Sequence, residues 1–481
     1  MNSYALINRV LAASLVLALG ACDSGLTDVN DNPNAPTDVA ARFLLPQSLR
    51  AGVEATFGGG EMLSHTAIWP QQAVQIQYPD EEEGNVRPSR MQAYWDGYYA
   101  GSLQDIQTVI DKGQEGGRVN SEGVGLIWKS WIFHLVTDFW GDVPFSEALR
   151  GGDGSTTPAY DTQQQVYAGM LRDLTAGAAL VSDGAPGFGA GDILYSNDFT
   201  KWRRFANSLR MRLAMRMAEV DPGTAQTEFV AAHNAGGFQS NADNAMFSWV
   251  AAPYRNPLFE NWQGRDDHGI SATMVDMLAS MNDPRLALYA EPATEDGAYR
   301  GLQNGDITPE LSLAWYSRIG NFWRADGAAT PTALMTYSEV LFLQAEAAQR
   351  GWIAGDPATL YMDAIRANMN QYDAWSPANG PTDTEIDAYL AQPSIAYLGL
   401  DQIQLQNWIG LYMNGAEAWS HVRRTGVPNL IPGPDLTLSR IPVRFSYPDL
   451  EQSLNSTNLN AAVSRQGGGL DLVTPVWWDI N

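Results

Sequence analysis

The sequence predicts an all-α protein in which paired, stacked helices carry a loop-rich lobe. Three observations predict it. Apolar residues recur at helical spacing through most of residues 95–217 and again through 334–419. Between these stretches, from Asn241 to Ala329, the periodicity fades and turn-forming residues dominate. Finally, Ala345, Ala347 and Ala348 in the clearest helical segment allow the close approach found in stacked helix-turn-helix repeats of about 34 residues.

The N-terminus is read first as an address. Arg9 precedes an apolar run, Val10 to Leu19, too short to span a bilayer, and Leu19-Gly20-Ala21 supply small residues before a cut site. The site ends on Cys22, the only cysteine in 481 residues. The pattern resembles the lipobox of bacterial lipoproteins, whose thiol is acylated with chains such as palmitate and becomes residue one. Cys22 is thus expected to be an anchor and not a nucleophile. No disulfide within the chain is possible, so stability must come from the core. Residues 1–21 are read as signal peptide, and 22–38 as lipidated cysteine and polar tether. One domain is expected over 39–481, with a helical scaffold over about 90–240 and 330–426, the lobe over about 241–329 and an irregular tail over 427–481.

Twenty-nine basic residues stand against 54 acidic ones, a formal net charge of −25. Such a surface repels phosphate, which argues against nucleic acid and anionic headgroups as partners. Sixteen tryptophans and 19 tyrosines fit either a dense helical core or a surface that stacks on ligands.

Along the chain, Asp28, Asn30 and Asn32 mimic the start of a calcium loop, but Pro33 and Val39 stand where Gly and a bidentate Glu are needed. Structural calcium is compatible with an acidic chain, but no site for it can be placed; no other cofactor or metal is expected. Residues 65–78 combine apolar and amide side chains and run into the acids Asp80–Glu83. They read either as a capped helix before a solvated acidic loop or as a grip for a neutral ligand, in which Gln72, Gln75 and Gln77 supply paired donors and acceptors beside Trp69 and Tyr78.

Trp95, Tyr98, Tyr99, Leu103, Ile106 and Ile110 form one helical stripe, and Val124, Ile127, Trp128, Trp131 and Leu135 the next. These predict an antiparallel pair ending near Gly141 and Pro144. Val166–Leu180 reads as a further helix. The glycine-rich 184–192 misses dinucleotide-loop spacing and reads as a flexible connector. Lys201–Met217 is amphipathic and concentrates the arginines, which are expected to pair internally or face solvent. In the lobe, Trp262 with Arg265 and Asp266, and Trp323 further on, are candidate ligand contacts, since rings on loops held by a rigid scaffold suit sugar faces. Leu334–Arg350 is expected to be a helix with Thr336 and Glu339 as a capping pair, followed by a mate over 361–369, a connector over 376–387 and one long helix bearing Leu405 to Trp419.

Several blocks together resemble a known family. They are the tether NPNAPTD, TDFWGDVPFSEA, KWRRFANSLRMRLAMR, MNDPRLALY, MTYSEVLFLQAEAAQRGW, NWIGLYMNGAEAWSHVRRTGVPNL and IPVRFSYP. In this order they resemble the SusD and RagB nutrient-binding outer-membrane lipoproteins. The resemblance implies a tetratricopeptide-like helical superhelix with a loop-rich ligand-binding lobe, and surface exposure on the outer membrane. It also implies a SusC-like TonB-dependent transporter as partner, over which the lipoprotein sits as a lid. The expected function is non-catalytic capture of an oligosaccharide or peptide; the alternative is a lipid-anchored glycosidase using paired carboxylates. The histidines 65, 134, 233, 268 and 421 form no H-E-x-x-H motif and read as structural.

Overall fold

Close contacts between helices, many of them at glycines, decide how the layers meet. The computed structural model describes residues 39–373 and 380–481. The signal peptide, Cys22, the tether and part of the 376–387 connector lie outside the described residues. Helix α1 (Ala41–Phe57) packs on an interrupted helix: α2 (Pro88–Asp96) passes into a π-helical turn, Gly97–Leu103, and on into α3 (Gln104–Glu115). The π turn sits where Ser48 and Ser102 each donate to the other's carbonyl, at 2.8 and 2.9 Å, and it resets the apolar stripe that the sequence reads as one continuous helix.

Helix α4 (Val119–Trp140) runs antiparallel to α3, as expected. A β-carbon on Gly113 would lie 2.5 Å from the Glu122 nitrogen, and one on Gly125 the same distance from the Ile110 side chain. Helix α5 (Gln163–Leu180), opened by a Thr162–Gln165 capping box, crosses α4 where Gly123 and Gly177 meet. Helices α6 (Phe199–Arg216) and α7 (Pro222–Ala235) complete the first half. The 184–192 stretch leading to α6 is a tied turn: the buried Asp192 carboxylate accepts from the nitrogens of Leu194, Tyr195 and Asn197 and from Trp202 Nε1.

The lobe is more ordered than its sequence suggests. Strand β1 (Ala73–Gln75) comes from the amide-rich segment. The lobe supplies β2 (Ala245–Phe247), helix α8 (Pro257–Asn261), β3 (His268–Ile270), helix α9 (Ala272–Ser280), β4 (Ala290–Glu291) and β5 (Arg318–Ile319). With β6 (Thr332–Met335) they form three antiparallel pairs, β1–β3, β2–β6 and β4–β5. The expected helix from Leu334 therefore begins as strand; α10 starts at Tyr337 and runs to Gln349. Thr336 caps it by accepting from the Glu339 nitrogen, but the Glu339 carboxylate is taken by Arg212 and does not close the box.

Helix α11 (Pro357–Asn370) pairs with α10. Helix α12 (Asp383–Leu390) begins inside the expected connector, set by a Thr382–Glu385 capping box. The expected last long helix is two, α13 (Leu400–Gly410) and α14 (Gly415–Thr425), separated by a turn in which Met413 has φ 63°. Gly426, at φ 68°, ends α14 in the left-handed conformation. The tail folds back, and α15 (Asp449–Leu454) and α16 (Ser456–Arg465) interrupt its irregular course. Arg444 and Tyr447 donate to the Trp140 carbonyl, and Phe445 enters an aromatic cluster with Phe139, Trp69 and Trp419.

Positive charge is placed inside. Arg212 donates twice to Glu339 at 2.6 and 2.7 Å, Arg216 donates to Glu417 at 2.6 Å, and Arg424 forks onto Glu346 at 2.8 and 2.7 Å. All six side chains are buried or nearly so. Burial alone would raise the Glu346 carboxyl, but Arg424, Arg350 and Gln404 outweigh it and hold it down to about 2. A carboxyl depressed on folding contributes stability that is complete above its ordinary value of 4.5 and is lost as pH falls toward about 2. Glu346→Gln is expected to cost about 3–5 kcal/mol at neutral pH by stranding Arg424. It should also flatten the acid-side decline of stability relative to wild type, as read by urea denaturation across that window. Trp69→Ala should lower stability by about 3–5 kcal/mol, measured by thermal unfolding, because it removes a ring from the cluster that joins the N-terminal segment to the tail.

Candidate functional site

The β1–β3 pair positions the site. Gln75 stands opposite His268, Val74 opposite Gly269, and Ala73 opposite Ile270. Gly269 is required because a β-carbon there would lie 2.8 Å from the Ser317 carbonyl oxygen, where the segment leading to β5 passes. At the Gln75–His268 end of this ladder a cavity of about 380 Å³ opens. Its lining includes the exposed Tyr78 and Arg265, the buried Gln75, Glu81 and His268, and Arg87 and Arg90.

Each part is held from behind. Tyr78 is 63% exposed, takes φ 54° and precedes Pro79, which opens a helical turn, Pro79–Glu81. The Arg265 guanidinium lies 5.5 Å from its ring centroid and pairs with Asp267. Arg87 pairs with Asp80 at 2.9 Å and Arg90 with Glu61 at 3.0 Å, so both cations are already neutralised. Of the two readings of this stretch, the solvated acidic loop does not hold for Glu81 and Glu82, which are buried. Glu81 accepts from Gln75 Nε2 at 2.8 Å. Glu82 accepts from the nitrogens of Gln75 and Gly305 and from Asn304, and burial pushes its carboxyl up to about 8.

His268 is neutral, since burial lowers its pKa to about 4. Asn261 Nδ2 lies 3.3 Å from Nδ1 and donates to it. Gln75 Oε1 and His268 Nε2 are buried without a hydrogen-bond partner among the described residues.

The residues singled out in sequence separate into three groups. Gln75, Gln77, Tyr78 and Arg265 line the cavity. Trp262 and Asp266 lie one layer behind: Asp266 accepts from Arg318 at 2.8 Å and Arg324 at 3.1 Å, Arg324 lies over Trp262, and Gln77 donates to the Asp266 carbonyl. Trp69, Gln72 and Trp323 are interior. Trp69 packs on Trp419 with ring centroids 4.8 Å apart, Gln72 donates to the Trp408 carbonyl at 2.7 Å, and Trp323 sits among Tyr289, Phe322, Tyr372 and Tyr412. The structure does not bring these three to the cavity, because aromatic neighbours and helix α13 close over them.

Sequence reasoning missed Arg87, Arg90, Asn261 and His268. The two arginines carry a readable signal, a spacing of three at a helix start after an acid run; His268 carries none, since only strand pairing puts it opposite Gln75. A larger groove of about 730 Å³ lies elsewhere, where Arg50 covers Tyr254 at 4.8 Å beside Phe43 and Trp249. It gathers none of the candidate residues. Among the described residues no group of three or more His, Cys, Asp or Glu is placed to hold a metal ion, and no helix is long and apolar enough to cross a membrane.

Comparison with known proteins identifies the family to which the fold belongs. A family model described as starch-binding, associating with outer membrane, matches residues 33–448. Among solved structures, a chitin-binding protein is 30% identical with a TM-score of 0.83, covering 92% of this chain and 100% of its own. A chitin-binding SusD homologue from Flavobacterium johnsoniae is 26% identical with a TM-score of 0.80, covering 91% of this chain and 99% of its own. A SusD homologue from Bacteroides uniformis, at 24% identity and a TM-score of 0.80 over 91% of this chain and 100% of its own, shares the fold. No curated protein matches. With a family match spanning most of its length and a helical-pair architecture common to these neighbours, the chain belongs to the SusD-like family of outer-membrane-associated proteins.

Proposed function

We propose that this protein is a non-catalytic capture protein that binds a glycan in the cavity at the end of the β1–β3 pair and passes it to a SusC-like TonB-dependent transporter. Cys22 would carry the lipid that holds it on the outer membrane, with the acidic body facing outward. The observation that carries this reading is the cavity itself, where an exposed ring backed by a guanidinium, Tyr78 on Arg265, shares the lining with the uncharged hydrogen-bonding side chains of Gln75, Gln77, Asn261 and His268. That combination suits a sugar, whose apolar face stacks and whose rim needs donors and acceptors. The chitin-binding neighbours at 30% and 26% identity make N-acetylglucosamine polymers the first class to try.

The glycosidase alternative is less well supported. Hydrolysis needs one carboxyl free to deliver a proton and another poised across the bond. The carboxylates lining the cavity, Glu81 and Asp267, are each engaged, by Gln75 and by Arg265.

Isothermal titration of the domain, cut after Cys22, against glycan and peptide hexamers should give saturable binding of at least one glycan with no shortening of the bound ligand by mass spectrometry. Tyr78→Ala and Arg265→Ala should each weaken that binding about tenfold. Stability should change by less than about 0.5 kcal/mol, since both side chains are largely exposed. New reducing ends on the bound ligand would turn the reading toward hydrolysis.

A further inference from the structure

Three phenylalanine, tyrosine or tryptophan side chains among the described residues are more than half exposed: Tyr78, Phe43 at 59% and Tyr254 at 52%. Tyr78 belongs to the cavity already described, and the other two line one groove, the space of about 730 Å³ beside α1. The groove and the cavity share no lining residue. Exposed apolar side chains scattered singly need no explanation, but two rings gathered with the exposed Ile193 and Val250 around one concave space mark a place where something binds.

The walls of the groove are anchored separately. On α1, Arg50 donates to both carboxylate oxygens of Glu54 at 2.8 Å and to Gln47 Oε1 at 3.0 Å, and its guanidinium lies 4.8 Å from the Tyr254 ring centroid. Tyr254 is thus backed by a tied cation, the arrangement that Arg265 and Asp267 give Tyr78. The loop that carries Tyr254 closes on itself, the Val250 nitrogen donating to the Tyr254 carbonyl at 3.1 Å. It leaves the body at Trp249, whose Nε1 donates to Thr332 on β6 at 2.8 Å. The turn tied by Asp192 supplies the remaining wall, seated so close to α1 that a β-carbon on Gly191 would collide with the Arg42 carbonyl oxygen.

The lining is also electrically quiet. Arg50 and Asp192 are its one cation and one acid; Glu54 neutralises the first, and the second is buried under four N–H donors. Ser196 and Ser248 are exposed, and their hydroxyls have no hydrogen-bond partner among the described residues. Rings beside uncharged hydrogen-bonding groups match the apolar face and hydroxyl rim of a sugar, and the volume falls in the range of about 300–1,000 Å³ usual for ligand clefts.

We infer that this groove is a second glycan-binding site, which holds a neutral oligosaccharide against Phe43 and Tyr254 independently of the Tyr78 cavity. The inference takes its class of ligand from the glycan-capture reading and adds a second hold. A polymer long enough to engage both places would be retained more strongly than either site holds it alone.

The test is titration of the chain from Asp23 onward, which contains every described residue, with hexamers of β-linked N-acetylglucosamine, β-linked glucose and α-linked glucose. In the Tyr78→Ala/Arg265→Ala background, at least one hexamer that wild type binds is expected still to bind, one per chain. Adding Phe43→Ala and Tyr254→Ala should weaken that remaining binding at least about tenfold, with the melting transition kept because both rings are exposed. Loss of all binding in the first background, or remaining binding that ignores the added pair, overturns the groove site and leaves capture at the Tyr78 cavity standing. Wild-type affinity in the first background that falls only with the added pair supports the groove and overturns the Tyr78 cavity. No binding of any hexamer by wild type overturns both. If the added pair leaves glycan binding unmoved but abolishes dimerisation in sedimentation velocity, or cosedimentation with phospholipid vesicles, the groove belongs instead to a second copy or to a lipid surface.

Discussion

The structure hangs on arginines that helix α6 sends inward. In a chain with a formal charge of −25, cations are scarce, and two of them, Arg212 and Arg216, are buried where α6 meets α10 and α14. Arg212 forks onto Glu339 and also donates to the Leu334 carbonyl, so a single guanidinium fixes both the start of α10 and the end of β6. Arg216 holds Glu417 and lies 3.7 Å from Asp138, whose carboxylate also receives Tyr167 and Trp478. Segments from both halves of the chain and from its C-terminal tail therefore meet on one polar network. Removing such charges from water is expensive, and buried pairs of this kind are better understood as setting register than as adding net stability. His134, beside Arg212, stays neutral, because burial and the neighbouring cation lower its pKa to about 3.

The frame matters to the site because the cavity is built from short, weak pieces. Strands of two or three residues have little independent stability. They keep their places because the segments on either side are anchored: Trp69 in the aromatic cluster, Gln72 on α13 through the Trp408 carbonyl, and Glu82 on the Asn304–Gly305 turn. Rigid anchoring of this kind lets a loop-borne ring such as Tyr78 remain exposed in a left-handed conformation without the loop collapsing onto it. The residues that looked like ligand contacts in sequence but lie inside, Trp69, Gln72 and Trp323, serve the site indirectly as part of this support.

Much of the architecture was legible because it rests on local rules. Helical stripes gave α4 to α6, α10 and α11 to within a few residues, and Gly141, Gly351 and Gly426 end helices where expected. The departures share a cause. The π turn at Gly97–Leu103 and the strand at Thr332–Met335 each meet a neighbour distant in sequence, Ser48 and strand β2, and periodicity carries no record of such a neighbour. The internal pairing of the arginines was one of two expectations, and packing chose it.

By itself the sequence determined the all-α class, the order of the helices, the family resemblance and the neighbourhood of the site, because apolar period, capping residues and turn formers act over a few residues at a time. Only the tertiary structure decided which rings face a ligand and which fill the core. That choice depends on what packs over each side chain. Gln75 and His268, nearly 200 positions apart in the chain, come to stand opposite each other solely through the register of two three-residue strands.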